Sequence, residues 1–116
     1  MTLLEKLLLP TLIVLFPAAV LAGQSSFEAK VVKIIDGDTI TALDGQNTSI
    51  KIRMYGIDAP ESKQAFGQKA KQALSSAIAA QNITVIDHGP DIYGRMLGTI
   101  WLDGYDINAS MVDSGY

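Results

Sequence analysis

Apolar and polar positions alternate with two different periods after residue 26, whereas Leu7 to Ala22 form a charge-free apolar run with no polar face. Phe27 to Ile35 is rich in β-branched residues and stops at Asp36-Gly37-Asp38. Thr39 to Leu43 resumes the strand pattern, and Asp44-Gly45 marks a hairpin turn. From Ile50 to Ile57 the period is two: Ile50, Ile52 and Met54 share one side, while Lys51, Arg53 and Tyr55 share the other, so Arg53 leaves the core face. Ala70, Ala73, Leu74, Ala77 and Ile78 recur at helical spacing and predict a helix from about Gly67 to Ala80, with Lys, Gln and Ser on most exposed positions. Ile83 to Ile86 and Met96 to Leu102 read as two further strands around an Asp87 to Arg95 loop; Asp103-Gly104 ends the last, and Asp106 can cap a short helix. The order βββαββα, with short connections and no internal repeat, suits a five-stranded β-barrel of the OB type carrying helices. A simple α+β sandwich uses the same ingredients, and periodicity alone does not separate the two.

The N-terminal run sets the expected destination. Leu7 to Ala22 holds no charge and ends in Val20-Leu21-Ala22 before Gly23-Gln24-Ser25-Ser26, which suits signal-peptidase cleavage after Ala22, with Ala19 as a second possible point. A membrane span needs ~20 apolar residues, and Pro10 and Pro17 disturb a spanning helix, so a cleaved signal peptide (1–22) is favoured over a retained anchor. Residues 23–116 then form one domain of an exported protein.

Composition narrows the chemistry. The 116 residues contain no cysteine, which excludes disulfides, thiolate metal sites and a cysteine nucleophile, and the single His88 argues against a histidine-built metal site. Any metal must therefore sit on oxygen. Met1 to Ala22 contains one Lys and one Glu, so the remainder keeps 8 basic and 11 acidic residues and the formal charge of −3 of the whole chain. No bulk basic field draws in an anionic polymer, and a local site must supply positive charge if one is handled. Asn-x-Ser/Thr triplets at Asn47, Asn82 and Asn108 carry no weight on their own.

Pairing of Thr39–Leu43 with Ile50–Ile57 about the Asp44-Gly45 turn makes Asp38 and Asp58 neighbours, and Pro60 keeps Ala59 extended so that Glu61 can approach the same point. Clustered carboxylates repel unless protonated or bridged by a cation, and a hard, geometrically tolerant ion such as Ca²⁺ suits an irregular oxygen set. An EF-hand does not account for it: counted from Asp36, Thr41 and Asn47 stand where Gly and Glu are needed. Taken singly, each feature has a plainer meaning. Asp-Gly-Asp is turn chemistry, Arg53 a solvated strand residue, Tyr93-Gly94-Arg95 a hairpin loop, His88 a surface or loop histidine, and Trp101 a packing residue in the barrel or against the last helix.

In combination, Asp-Gly-Asp-Thr at 36–39, Arg53 in a strand, Asp-Ala-Pro-Glu at 58–61 and Tyr-Gly-Arg at 93–95 resemble the staphylococcal nuclease family over about Phe27 to Tyr116. The resemblance implies an OB-fold barrel and a secreted or periplasmic, monomeric, calcium-dependent nuclease that cuts DNA and RNA to leave 3′-phosphates. By matching position, Asp38, Asp58 and the Ala59 carbonyl would hold Ca²⁺, Glu61 would be the general base, Arg53 and Arg95 would clamp the phosphate, and Tyr93 would contact a substrate phosphate. Ala59 stands where the best-known member has Thr, the Ser62 to Phe66 segment is shorter than that member's mobile loop, and the family continues through further helix beyond the position of Tyr116, so the chain has the look of a fragment. The chemistry is coherent in its own right: Arg53 and Arg95 can each donate paired hydrogen bonds to phosphate oxygens, and Glu61 is the carboxylate left to activate water. Two other readings stand beside it, a non-catalytic OB module binding single-stranded nucleic acid or a protein, and a membrane-anchored interaction domain. The shortage of exposed aromatic and basic residues in an acidic chain argues against the first.

Overall fold

The computed structural model describes residues 24–116, so the N-terminal apolar run and the cleavage expected after Ala22 lie outside the described residues. Among the described residues no helix is long and apolar enough to cross a membrane. The elements follow in the order β1 (Ser25–Asp36), β2 (Thr39–Asp44), β3 (Ser49–Met54), α1 (Gly67–Ile78), β4 (Asn82–Pro90), β5 (Met96–Leu102), β6 (Tyr105–Asp106) and α2 (Ile107–Asp113). The sheet runs β3-β2-β1-β4-β5-β6, and a parallel pairing of β3 with β5 closes its five main strands into a barrel. That pairing decides between barrel and sandwich, and it depends on Gly98. Gly98 lies opposite Met54, and a Cβ there would stand 3.0 Å from both the Ile52 and Val85 side chains, so a residue without a side chain is what lets the two strands close.

The inward-facing positions of the strands fill this barrel. Val31, Ile40, Ala42, Ile52, Met54, Ile83, Val85 and Ile100 are almost completely shielded from solvent; Leu74 and Ile78 of α1 and Ile107 and Met111 of α2 join the same cluster. Each large aliphatic side chain so buried contributes about 1.5–3 kcal/mol relative to exposure, which makes the two helices integral to the core. The capping of α2 by Asp106 is as expected, its side chain accepting from the Ala109 N–H at 2.9 Å.

Several boundaries differ from the sequence expectation, each for a local reason. β3 ends at Met54 instead of continuing to Ile57, because Gly56 adopts a positive φ of 83° and turns the chain away. β4 continues past Ile86 to Pro90 through an irregularity between Asp87 and Pro90, where Gly89 has φ 101° and its N–H is held by the Asp87 carboxylate at 2.7 Å. His88 is consequently a strand residue. Its ring stacks on Tyr55 with centroids 4.3 Å apart, and its two nitrogens are bonded to Gln24 and Thr99. α1 stops at Ile78, since Ala79 is extended and Ala80 has φ 62°. Trp101 alternates with inward-pointing Ile100, so it lies outside the core cluster, with its indole N–H buried and lacking a hydrogen-bond partner among the described residues.

Candidate active site

The connection between β1 and β2 builds one wall of the site. β1 and β2 meet at Asp36 opposite Thr39, leaving Gly37 and Asp38 as a two-residue turn. Asp38 is buried, and its carbonyl and both carboxylate oxygens are engaged. Its carbonyl accepts from the Met54 N–H at 2.8 Å, its Oδ1 accepts from the Thr39 hydroxyl at 2.8 Å, and its Oδ2 accepts from the Ala59 N–H at 2.9 Å. Asp36 does parallel work, accepting from the Ser62 N–H at 2.9 Å. The two aspartates of the Asp-Gly-Asp turn thus hold both ends of the Ala59–Ser62 segment, and their bonds offset part of the ~1–2 kcal/mol of backbone entropy per residue that ordering it costs. Gly37 between them allows close approach: a Cβ there would stand 2.6 Å from the Ala70 Cβ and 3.0 Å from the Ala59 Cβ, so the absent side chain lets α1 and this segment pack against the turn.

Arg53 lies opposite Thr39 in the β2–β3 ladder, on the outward side the alternation predicts. Its guanidinium reaches two of the expected ligands at once, with Nη1 3.4 Å from Asp38 Oδ2 and Nη2 3.3 Å from Asp58 Oδ1. Nη1 also donates to the carbonyls of Ile57 at 2.6 Å and Met54 at 3.1 Å. The Asp58 side chain is 97% exposed, in contrast to the buried Asp38. Asp38, Arg53 and Asp58 therefore converge as expected, and the cation that bridges the two carboxylates here is Arg53 itself. Glu61 does not make a third member of that cluster. It stands exposed on the connecting segment, where its N–H donates to Gln64 Oε1 at 2.7 Å and its carbonyl accepts from the Gln64 N–H at 2.8 Å.

The parallel β3–β5 pairing brings in the other half of the site. Arg53 lies beside Leu97, and Arg95, two residues earlier, projects on the same side of the strand line. Arg53, Tyr93 and Arg95 line one open cavity of about 280 Å³, with Asp91, Ile57 and Leu97 in its walls. Arg95 is oriented by Asp91, whose Oδ2 accepts from Nε at 2.7 Å while its Oδ1 accepts from the backbone N–H groups of Tyr93 and Arg95 at 2.8 and 2.9 Å. Removal of the Asp91 carboxyl from water opposes its ionisation, but the hydrogen bonds from the Arg95 and Tyr93 backbones and the Arg95 guanidinium outweigh this and hold its pKa below the ordinary 3.8. Tyr93 is exposed, its ring 5.3 Å from the Arg95 guanidinium carbon.

Several of these positions were not singled out from the sequence. Asp91 carries the signature of an Asx turn, an Asp ahead of Tyr-Gly-Arg, which could have identified it as the anchor of Arg95. Asp36 was readable only as a turn residue, and the Glu61-x-x-Gln64 pair follows the reciprocal logic of a helix-start box without a helix. Asn108 reads from the sequence only as a triplet position, yet it is buried: its Oδ1 accepts from the Ile100 N–H at 3.0 Å, and its Nδ2 donates to the carbonyls of Tyr55 and Gly98 at 2.8 and 3.0 Å. It ties α2 to β5 and to the turn that follows Arg53's strand.

The donor set is all oxygen, and its charge suits a hard cation. Two carboxylates against one guanidinium leave a residual negative charge beside the exposed Asp58, and an ionised carboxylate has lone pairs to spare beyond the bonds drawn here. Among the described residues no group of three or more His, Cys, Asp and Glu side chains comes together to hold a metal ion, so a cation at this point would rely on the two aspartates supplemented by backbone carbonyl and water.

Residues 51–116, more than half of the chain, match the family described as staphylococcal nuclease homologue. A protein of Haemophilus influenzae described as an uncharacterized endonuclease is 41% identical over 111 residues, covering 96% of this chain and 62% of that protein. An uncharacterized endonuclease of Escherichia coli O157:H7 is 36% identical over 108 residues, covering 92% of this chain and 69% of that protein. A micrococcal nuclease of Shigella flexneri is 40% identical over 100 residues, covering 78% of this chain and 57% of that protein. The chain thus spans less than two thirds of the length of the Haemophilus and Shigella relatives. With a closed five-stranded barrel, the motifs at 36–39, 58–61 and 93–95 in register on it, and these matches, the chain belongs to the staphylococcal nuclease homologue family.

Proposed function

We propose that this chain is an exported nuclease that hydrolyses phosphodiester bonds of DNA and RNA with the help of Ca²⁺, leaving 3′-phosphate ends and acting as a monomer after cleavage behind Ala22. The observation that carries the reading is the convergence of Asp38, Arg53 and Asp58 beside a cavity that also presents Arg95 and Tyr93. The endonuclease and micrococcal nuclease descriptions of similar proteins support it.

The side chains divide the chemistry among them. Asp38, Asp58 and the Ala59 carbonyl would hold Ca²⁺, which when bound supplies positive charge to a phosphate oxygen. Arg95 uses only Nε on Asp91, so both of its terminal nitrogens are available to a phosphate; Arg53 keeps N–H donors at Nε and Nη2 beyond those engaged with Asp38, Asp58 and the carbonyls. Two arginines on one side of the cavity match the charge that accumulates on the equatorial oxygens as a nucleophile attacks phosphorus. The Glu61 carboxylate, on a backbone held by Gln64 and exposed to solvent, takes a proton from the attacking water; the new bond forms to phosphorus, the bond to the 5′ oxygen breaks, and that oxygen leaves as a hydroxyl after protonation from solvent. Tyr93 rests against Arg95 and offers its hydroxyl to a neighbouring phosphate. Incubation of the purified chain with single- and double-stranded DNA, in Ca²⁺ or in EGTA, tests the reading. Fragments bearing 3′-phosphates in Ca²⁺ and intact DNA in EGTA are expected, whereas no cleavage in Ca²⁺, or equal cleavage in EGTA, would overturn it.

A further inference from the structure

We propose that the groove between β1 and α1 is a second nucleic-acid contact, which binds the phosphate backbone of a single strand extending away from the catalytic end. The inference deepens the nuclease reading and rests on it. The groove encloses about 480 Å³, and Lys30, Lys33 and Lys71 line it together with Val32, Ser75 and Ala79, with no acidic residue in its walls. Among the described residues all ion pairs involve Arg53 or Arg95, so none of these three lysines is neutralised by a carboxylate. In a chain of net charge −3 this is a local concentration of unpaired positive charge, the kind of feature that marks a polyanion's path.

The arrangement is built into the fold. Lys30 and Lys33 are three residues apart and in a regular strand would face opposite sides. The ladder with β2 shifts between Val31 and Lys33, Val31 pairing with Ala42 and Lys33 with Thr41, so Val32 is an extra residue. That bulge leaves Val31 buried and returns Lys33 to the side of Lys30. From the helix, Lys71 and Ser75 follow at i and i+4 and so present one face to the same groove, and Ala79, just past the helix end, completes that wall.

Position selects the ligand. β1 runs from the groove into the Asp36-Gly37-Asp38 turn, and Lys33 precedes Asp36 by three residues, ~10 Å at ~3.3 Å per residue. α1 contacts that same turn through Ala70, the residue before Lys71. An anion that occupies the catalytic cavity and also reaches the three lysines must be long and charged at intervals, as a nucleic-acid strand is. The apolar floor contains no aromatic side chain for stacking, so the contact is made to phosphates and is independent of sequence.

The test uses the full chain in EGTA and a fluorescein-labelled 30-nucleotide single strand, with anisotropy recorded across a salt series for wild type, the Lys30→Gln/Lys33→Gln/Lys71→Gln variant and the corresponding triple Lys→Arg variant. Loss of three phosphate contacts should lower the slope of log K against log salt by about 2, and affinity at low salt by roughly tenfold or more, with the Arg variant close to wild type. Hydrolysis of a dinucleotide in Ca²⁺, too short to reach the groove, should keep its kcat and KM in the Gln variant. Equal slopes in wild type and the Gln variant, a triple-Arg variant as weak as the Gln variant, or equally effective competition by polyglutamate of matched charge, which would assign the groove to acidic protein segments, would each overturn the proposal. A lysine-dependent slope in a chain that cleaves no dinucleotide would instead sink the nuclease reading and leave the groove standing.

Discussion

Asn108→Ala should be among the most damaging single substitutions outside the site, and its cost can be worked from its three bonds. Removal of the amide leaves the Ile100 N–H and the Tyr55 carbonyl without partners, while the Gly98 carbonyl still accepts from the Tyr55 N–H at 2.8 Å. A buried backbone group left unsatisfied costs about 1–3 kcal/mol. Ile100 is fully buried and pays the higher figure, whereas Tyr55 is half exposed and water can reach its carbonyl, so the sum is about 2–4 kcal/mol. Against the ~5–15 kcal/mol of a typical domain this is a large fraction. Urea unfolding followed by circular dichroism should show the midpoint lowered by ~1 M or more at an unchanged m-value. Asn108→Leu, which restores volume but none of the bonds, should lose a similar amount and so separate hydrogen bonding from cavity formation. Because the Tyr55-Gly56 turn leads to the Ile57 carbonyl that receives Arg53 Nη1, both variants should also lower the proposed nuclease activity. A midpoint shift below ~0.3 M in both variants, with two-state unfolding retained, would show that the three bonds do not hold α2 to the barrel.

Other perturbations act closer to the chemistry. Gly37→Ala inserts a methyl 2.6 Å from the Ala70 Cβ, which should destabilise by ~1–3 kcal/mol in urea melts and cut activity as the Ala59–Ser62 segment is pushed outward; wild-type stability and rate would refute the close packing. Arg53→Lys keeps the charge but loses the fork that spans Asp38, Asp58 and the Ile57 carbonyl, and kcat should fall by ~100-fold or more; near-normal kcat would reduce Arg53 to a steering charge. Asp91 has a depressed pKa, so its contribution to stability is fully present above the ordinary 3.8 and is lost as pH falls through its lower folded value. Asp91→Asn should therefore flatten the urea midpoint against pH below about 3.8 while leaving its shape between pH 5 and 7 unchanged, and it should lower kcat by freeing Arg95; an identical acid profile in wild type and variant would contradict the assignment.

What could be read from the chain was whatever is encoded locally. The period-two run placed Arg53 outward, the loop between Asp44 and Thr48, closed by Asn47 at φ 61°, sets the β2–β3 register, and with that register one guanidinium reaches both Asp38 and Asp58. Barrel closure was not local: it joins Met54 to Gly98 across 44 positions, and its enabling feature is an absent side chain that leaves no periodic trace. The Asp87 to Arg95 stretch reads as a loop, yet β4 runs on to Pro90 by means of an irregularity, which puts His88 on a strand against Tyr55. Asp91, Asp36 and Gln64 were hidden because their carboxylate and amide groups serve backbone N–H groups, a role that many turn residues fill and that composition does not distinguish.

The proposed role of Glu61 as the base of a calcium-assisted hydrolysis is tested most directly by single-turnover cleavage of a saturating 5′-labelled oligonucleotide in Ca²⁺ by wild type and Glu61→Gln, with product ends identified by mass. The amide preserves shape and the backbone bonds to Gln64 while removing the proton acceptor. Wild type should release 3′-phosphate fragments, and the variant should bind the oligonucleotide with similar affinity but cleave it ~10²-fold or more slowly. An unchanged rate in the variant, or 5′-phosphate products from wild type, would contradict the account.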